Sequence, residues 1–191
     1  MLNKKLNLSN FNTDNVMDMS YMFRNCTIRE INLSNFNTEI VKDMSFMFSN
    51  CKLLEELDLS NFKTHNVKNM NSMFSNCRKL KELNLINFKT NCVNNMSHMF
   101  NCCLLLEKIN VINFNTENVT DMSGMFSCCH SLKKLDLSSF NTNNVINMDH
   151  MFEYCPKLEQ LNLKNFDVNK ILNSYNMFFG CLCREKYYIK K

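Results

Sequence analysis

Glycine and proline are nearly missing from this chain, two and one among 191 residues, and there is no tryptophan. No Gly-rich loop of the kind that cradles phosphate is present. No apolar run approaches the roughly 20 residues that carry a helix across a bilayer, so membrane insertion is not expected. The net charge is +4 and spread along the chain, without the basic stripe of a nucleic-acid binder. Cysteine is plentiful, at 11, but no two C-x-x-C pairs occur, which removes the usual zinc signature. A Ser-His-Asp arrangement and a pair of inward carboxylates are lacking too, so no enzyme is expected and no cofactor is implied. The segment Met1 to Lys5 has neither the apolar stretch of a signal peptide nor a lipid-attachment cysteine. With so many thiols, the chain alone reads as cytoplasmic, from a reducing compartment.

What fills the chain instead is one unit, repeated seven times. An apolar position recurs at Leu6, Ile31, Leu57, Leu83, Ile109, Leu135 and Leu161, a first step of 25 and then 26 throughout. Phenylalanine recurs at 11, 36, 62, 88, 114, 140 and 166, and cysteine at 26, 51, 77, 103, 129, 155 and 181. Thirteen of the 15 methionines fall in two further columns, Met19 to Met148 and Met22 to Met177, which accounts for the methionine content without a Met-rich ligand site. A fixed period of this length implies a single solenoid domain over residues 1–191, each coil burying its apolar side against its neighbours.

Within each unit, Leu57-Asp58-Leu59 and its equivalents alternate in strand fashion. Seven such strands are expected in one parallel row, about 4.8 Å apart. The segment from Val67 through Met70 to Met73 and Phe74 has the spacing of a short helical turn, making an α/β repeat with helical turns opposite the strands. The Asp or Asn before the first Met (Asp18, Asp43, Asn69 and so on) is placed to accept a backbone N–H there. The Thr column, Thr13 to Thr142, is expected to bond locally in the turn leaving the strand.

The pattern L-x-x-L-x-L resembles a leucine-rich repeat. With Phe62 where the usual Asn or Cys would stand, and V-x-x-M-S-x-M-F-x-x-C downstream, it is similar to the BspA-like leucine-rich-repeat surface proteins. Turns such as NFNTENVTDMSGMFSCCHSLKKLDLSSF carry that resemblance over roughly residues 6 to 183. It implies surface display, adhesion or host-protein contact, as in an adhesin or surface antigen, and hence a cell-surface or secreted location. It supplies no catalytic residues, and no asparagine ladder is expected at the Phe position.

The Cys column reads as a reduced, buried ladder, since free cysteine behaves as a small hydrophobe. His98 and His150 share a repeat position with Tyr21, Phe46, Ser72 and Gly124, a tolerance that reads as exposed surface. The candidate partner surface is the strand face: Glu30, Asn32, Glu56, Asp58, Glu82, Asn84, Ile86, Lys108, Asn110, Ile112, Lys134 and Asp136. It forms a strip that is acidic toward the N-terminus and basic toward the C-terminus. Its Asn and Asp side chains either bond along the stack or meet a partner. The expected function is a non-enzymatic module binding protein or glycan; the rival reading is a structural spacer or array with no dedicated ligand. Residues 184–191 read as a degenerate eighth strand closing the stack.

Overall fold

A computed structural model describes residues 6, 8 and 10–182 of the chain. The proposed eighth strand at 184–191 lies outside the described residues. Four three-residue strands form: β1 (Glu82–Asn84), β2 (Lys108–Asn110), β3 (Lys134–Asp136) and β4 (Gln160–Asn162). They pair in parallel as β1–β2 and β3–β4, each residue facing its equivalent one repeat on, as Leu83 faces Ile109. One further bridge joins Leu6 to Ile31. The row is therefore not the continuous seven-strand ladder that the period predicts.

Charge explains where the row breaks. From the second repeat on, the residue before the first apolar position of the strand segment is Glu30, Glu56, Glu82, Lys108, Lys134 and Gln160 in turn. Pairing occurs where opposite charges or a neutral residue meet, between β1 and β2 and between β3 and β4. It is missing where Glu30 meets Glu56, Glu56 meets Glu82, and Lys108 meets Lys134. Like charges directly opposite one another on neighbouring strands are destabilising. For segments only three residues long, that is enough to open the ladder.

The continuous ladder lies on the other side of the repeat. Parallel bridges run unbroken through Asp18, Asp43, Asn69, Asn95, Asp121, Asn147 and Asn173. From there the N–H groups of Met44, Phe46, Phe48 and Asn50 donate to the next repeat, at Asn69, Asn71, Met73 and Ser75. The alternating residues Met47, Ser49 and Cys51 donate to the carbonyl three residues back. Two residues per repeat adopt left-handed backbone, such as Phe46 (φ 57°) and Asn50 (φ 61°). A left-handed residue every four positions, with every second N–H turned to a neighbour, cannot continue as a helix. The expected helical turns are thus replaced by tight turns, and the described residues contain no helix. The Asp and Asn column still accepts a backbone N–H, as Asp43 does from Ser45 at 2.7 Å, but it closes a turn.

The core lies between these two sides. Phe23, Phe48, Phe74, Phe100, Phe126, Phe152 and Phe178 form one file of stacked rings 5.4–6.0 Å apart. Val41 to Val145, both Met columns in the middle repeats and the other Phe column from Phe36 to Phe166 are buried beside it. Polar residues inside are satisfied across the stack. Thr64 donates to the carbonyl of Lys89 at 3.0 Å and accepts from its N–H at 2.8 Å. The same two bonds recur from Thr13 to Thr142, so the Thr column bonds to the next repeat and not locally. An asparagine ladder also exists, one residue before the Phe column. Asn61 donates to the carbonyls of Leu33 and Phe36, and Asn113 to that of Ile86, each at 3.0 Å.

Candidate binding surface

The strand face carries the residues singled out above. Glu30, Asn32, Glu56, Asp58, Glu82, Asn84, Lys108, Asn110, Ile112, Lys134 and Asp136 are exposed, while Ile86 is half-buried. Alternation along each strand puts them outside and Leu83, Leu135 and Leu161 inside. The central Asn and Asp residues do not bond along the stack. Each accepts the N–H two residues on: Asp58 from Ser60 at 2.9 Å, Asn84 from Ile86 and Asn110 from Ile112 at 3.2 Å. They are Asx turns that end the strand. The Ser60 backbone N–H, followed by its side chain, holds the Asp58 carboxyl below its ordinary value.

At the junction of the acidic and basic halves, Lys108 Nζ lies 2.6 Å from Glu82 Oε1. The hydrogen bond and charge of Glu82 push the Lys108 ammonium up from its usual value. Both side chains are well exposed, so the pair contributes little stability, but it neutralises the middle of the strip. The charge that remains is acidic at one end, on Glu30, Glu56 and Asp58; at the other, Asp136 offsets Lys134 and Lys164 of the next repeat adds a positive charge.

Among the described residues, shallow grooves open on this face. The largest, about 560 Å³, has Ile109, Leu135 and Leu161 at its floor and Lys134, Asp136, Gln160 and Asn162 around it. A second, about 310 Å³, spans β1 and β2. The third, about 260 Å³, lies in the acidic half between Glu30, Ile31, Asn32 and Glu56, Leu57, Asp58. Gln160 and Asn162 continue the strip's columns into the seventh repeat, with Leu161 turned inward between them.

Elsewhere, the Cys column is buried from Cys51 to Cys155, and each thiol donates to a Phe carbonyl of the preceding repeat. Cys77 bonds Phe48 and Cys103 bonds Phe74, both at 3.2 Å. Burial pushes Cys51, Cys103 and Cys155 up to about 12. The expectation of a wholly reduced column needs one correction, because Cys181 is disulfide-bonded. His98 is exposed, as the tolerance of its column implied, while His150 is half-buried; the His98 ring lies over Gly124, where an added Cβ would fall 2.3 Å from Nδ1. Desolvation of that ring lowers the His98 pKa from its usual value. Among the described residues, no three His, Cys, Asp or Glu side chains converge as a metal site would require. No helix among them is long and apolar enough to cross a membrane.

A family model for Mycoplasma proteins of unknown function, DUF285, matches twice in tandem, over residues 1–108 and 81–187. The chain belongs to the DUF285 family. The two DUF285 matches overlap and span nearly its whole length, as a chain of near-identical repeats allows. The resemblance to BspA-like leucine-rich-repeat proteins is overturned by this result: the DUF285 model matches, and no BspA-like or leucine-rich-repeat family does. The columns that suggested it serve other geometry here, a double left-handed turn at M-S-x-M-F-x-x-C and an asparagine ladder displaced by one residue. No curated protein and no solved structure matches the chain.

Proposed function

We propose that this chain is a non-enzymatic binding module, a solenoid of seven coils whose strand face receives a protein partner. What supports the reading is that some of the strip's charges are left outside any ion pair. Among the described residues Glu56 and Lys134 have no ion-pair partner, and both border shallow grooves, the one at Lys134 floored by Ile109, Leu135 and Leu161. Shallow apolar floors rimmed by charge suit an extended polypeptide whose own charge pattern is reversed. Charge of opposite sign at the two ends would steer such a partner into one orientation. The rival reading, a spacer without a ligand, draws support from the Asx turns, which give the strip's Asn and Asp residues a purely structural task.

Partner capture with the intact chain, compared with Glu30→Lys and Lys134→Glu variants, separates the two. A partner docked on the strip is lost at least about tenfold on either reversal, the scale of a 1.4 kcal/mol change. Its affinity also falls with salt, since exposed charges are screened over about 8–10 Å. A partner indifferent to both reversals and to salt lies elsewhere on the molecule, and the absence of any captured partner favours the spacer.

A further inference from the structure

The left-handed column just before the buried cysteines holds Asn25, Asn50, Asn76, Cys102, Cys128, Tyr154 and Gly180. Neighbours in this column touch. Asn76 Nδ2 donates to Asn50 Oδ1, and the Tyr154 ring occupies the space over Gly180, where an added Cβ would sit 2.9 Å away. Cys102 and Cys128 are therefore facing neighbours in a column where side chains reach one another. Their backbones share one conformation, φ 56° and 58°, and the N–H of Cys102 donates to the Ser127 carbonyl at 2.8 Å. Both are free and half-buried, so reagents reach them. Cys103 and Cys129, by contrast, point inward and donate to the Phe74 and Phe100 carbonyls.

We propose that Cys102 and Cys128 are a modification site, a thiol pair that closes into a disulfide between the fourth and fifth repeats on meeting a small-molecule disulfide. A thiolate of the pair attacks one reagent sulfur, forming a mixed disulfide and displacing a reagent thiolate. The second protein thiolate then attacks the mixed disulfide and displaces the other. The two reagent thiolates take up the protons that the protein thiols gave up, so the protein is oxidised and the reagent reduced by two electrons. Facing positions about 4.8 Å apart lie within the usual Cα range of a disulfide, and the Cβ atoms need approach to about 3.8 Å. A half-buried turn accommodates that shift more readily than the packed column beside it.

The surroundings set the pace of the exchange. Burial first, and the neighbouring Cys128 second, raise the Cys102 thiol to about 11, while the charge of Arg78 opposes them. Arg78 is held beside the pair by its Nε bond of 2.6 Å to Asn76 Oδ1. The thiolate, not the thiol, is the attacking species.

The test is to incubate the reduced full-length chain with oxidised glutathione and map its cysteines without reduction. The expected result is a Cys102–Cys128 crosslink, seen as the loss of two hydrogens from the joined peptides, with the exposed Cys92 carrying only a glutathione adduct. In a Cys128→Asn variant, which uses the residue the column already holds in the first three repeats, Cys102 should stop at the adduct. Cys102→Asn should leave Cys128 in the same state. Separate adducts on both cysteines of the parent chain, or a crosslink that joins either of them to Cys103 or Cys129, would overturn the proposal. So would a parent chain in which both remain unmodified while Cys92 reacts.

Discussion

Ser139 stands in the ladder column that asparagine fills at positions 35, 61, 87, 113 and 165, and its buried hydroxyl has no hydrogen-bond partner. The serine is too short to reach the carbonyl of the preceding repeat that asparagine reaches elsewhere. Ser139→Asn should complete the ladder by donating to Ile112. A net gain of about 1 kcal/mol for one hydrogen bond corresponds to roughly 2–4 °C in a domain of this size. Calorimetry of the variant showing an unchanged or lowered midpoint would mean that the gap at 139 is too tight for the amide. Gly124 poses the opposite case. Its column tolerates φ near 55° in Ser72, His98 and His150, so backbone conformation alone does not demand glycine there. The demand comes from the His98 ring lying over it. Gly124→Ala should cost more than the roughly 1–2 kcal/mol of a left-handed alanine, and the excess should vanish in a His98→Ala background. Denaturant titrations of the two single variants and the double variant measure that coupling; strictly additive effects would count against it.

At the scale of the element, three-residue strands form or fail according to the charge that leads them. Glu56 faces Glu30 on one side and Glu82 on the other, and neither step pairs. Glu56→Lys turns both meetings into opposite charges and should extend the strand row from the second repeat through the fourth. Amide exchange reads this directly, as slower exchange around residues 56–58 and 82–84, which weakens again at high salt as the charges are screened. Exchange there no slower than in the parent would show that something other than charge opens the ladder. The opposite side of the repeat needs no such matching. Its bridges join Asp and Asn residues whose side chains accept from their own backbone two residues on, as Asp121 does from Ser123 at 2.8 Å.

For the whole molecule, stability is expected to be distributed along the stack as a sum over neighbouring repeats. Phe88, 1% exposed in the middle of the chain, belongs to a column filled by phenylalanine in every repeat. Phe88→Ala should cost about 3–5 kcal/mol, the range for truncating a buried phenylalanine, as measured by urea denaturation. A loss below about 1 kcal/mol would mean that the neighbouring repeats close over the gap.

The repeat, its number and its core columns were legible in the residues alone, because a period of 26 with Phe, Val, Met and Cys at fixed positions leaves few other ways to bury them. The outward strip was legible for the same reason: Glu56 and Asp58 flank Leu57 with strand alternation. The backbone's route between those columns was not. Val67, Met70 and Met73 have helical spacing, and apolar spacing alone cannot distinguish a helix from turns whose alternate N–H groups reach a neighbour. That choice depends on bonds between residues about 26 apart, which exist only once the repeats lie side by side. The destinations of Thr64, Asn61 and Cys77, each bonded into a neighbouring repeat, were hidden for the same reason. The breaks in the strand row were already present in the order of Glu and Lys along the chain. They acquired meaning only when tertiary structure set each of those charges opposite the next.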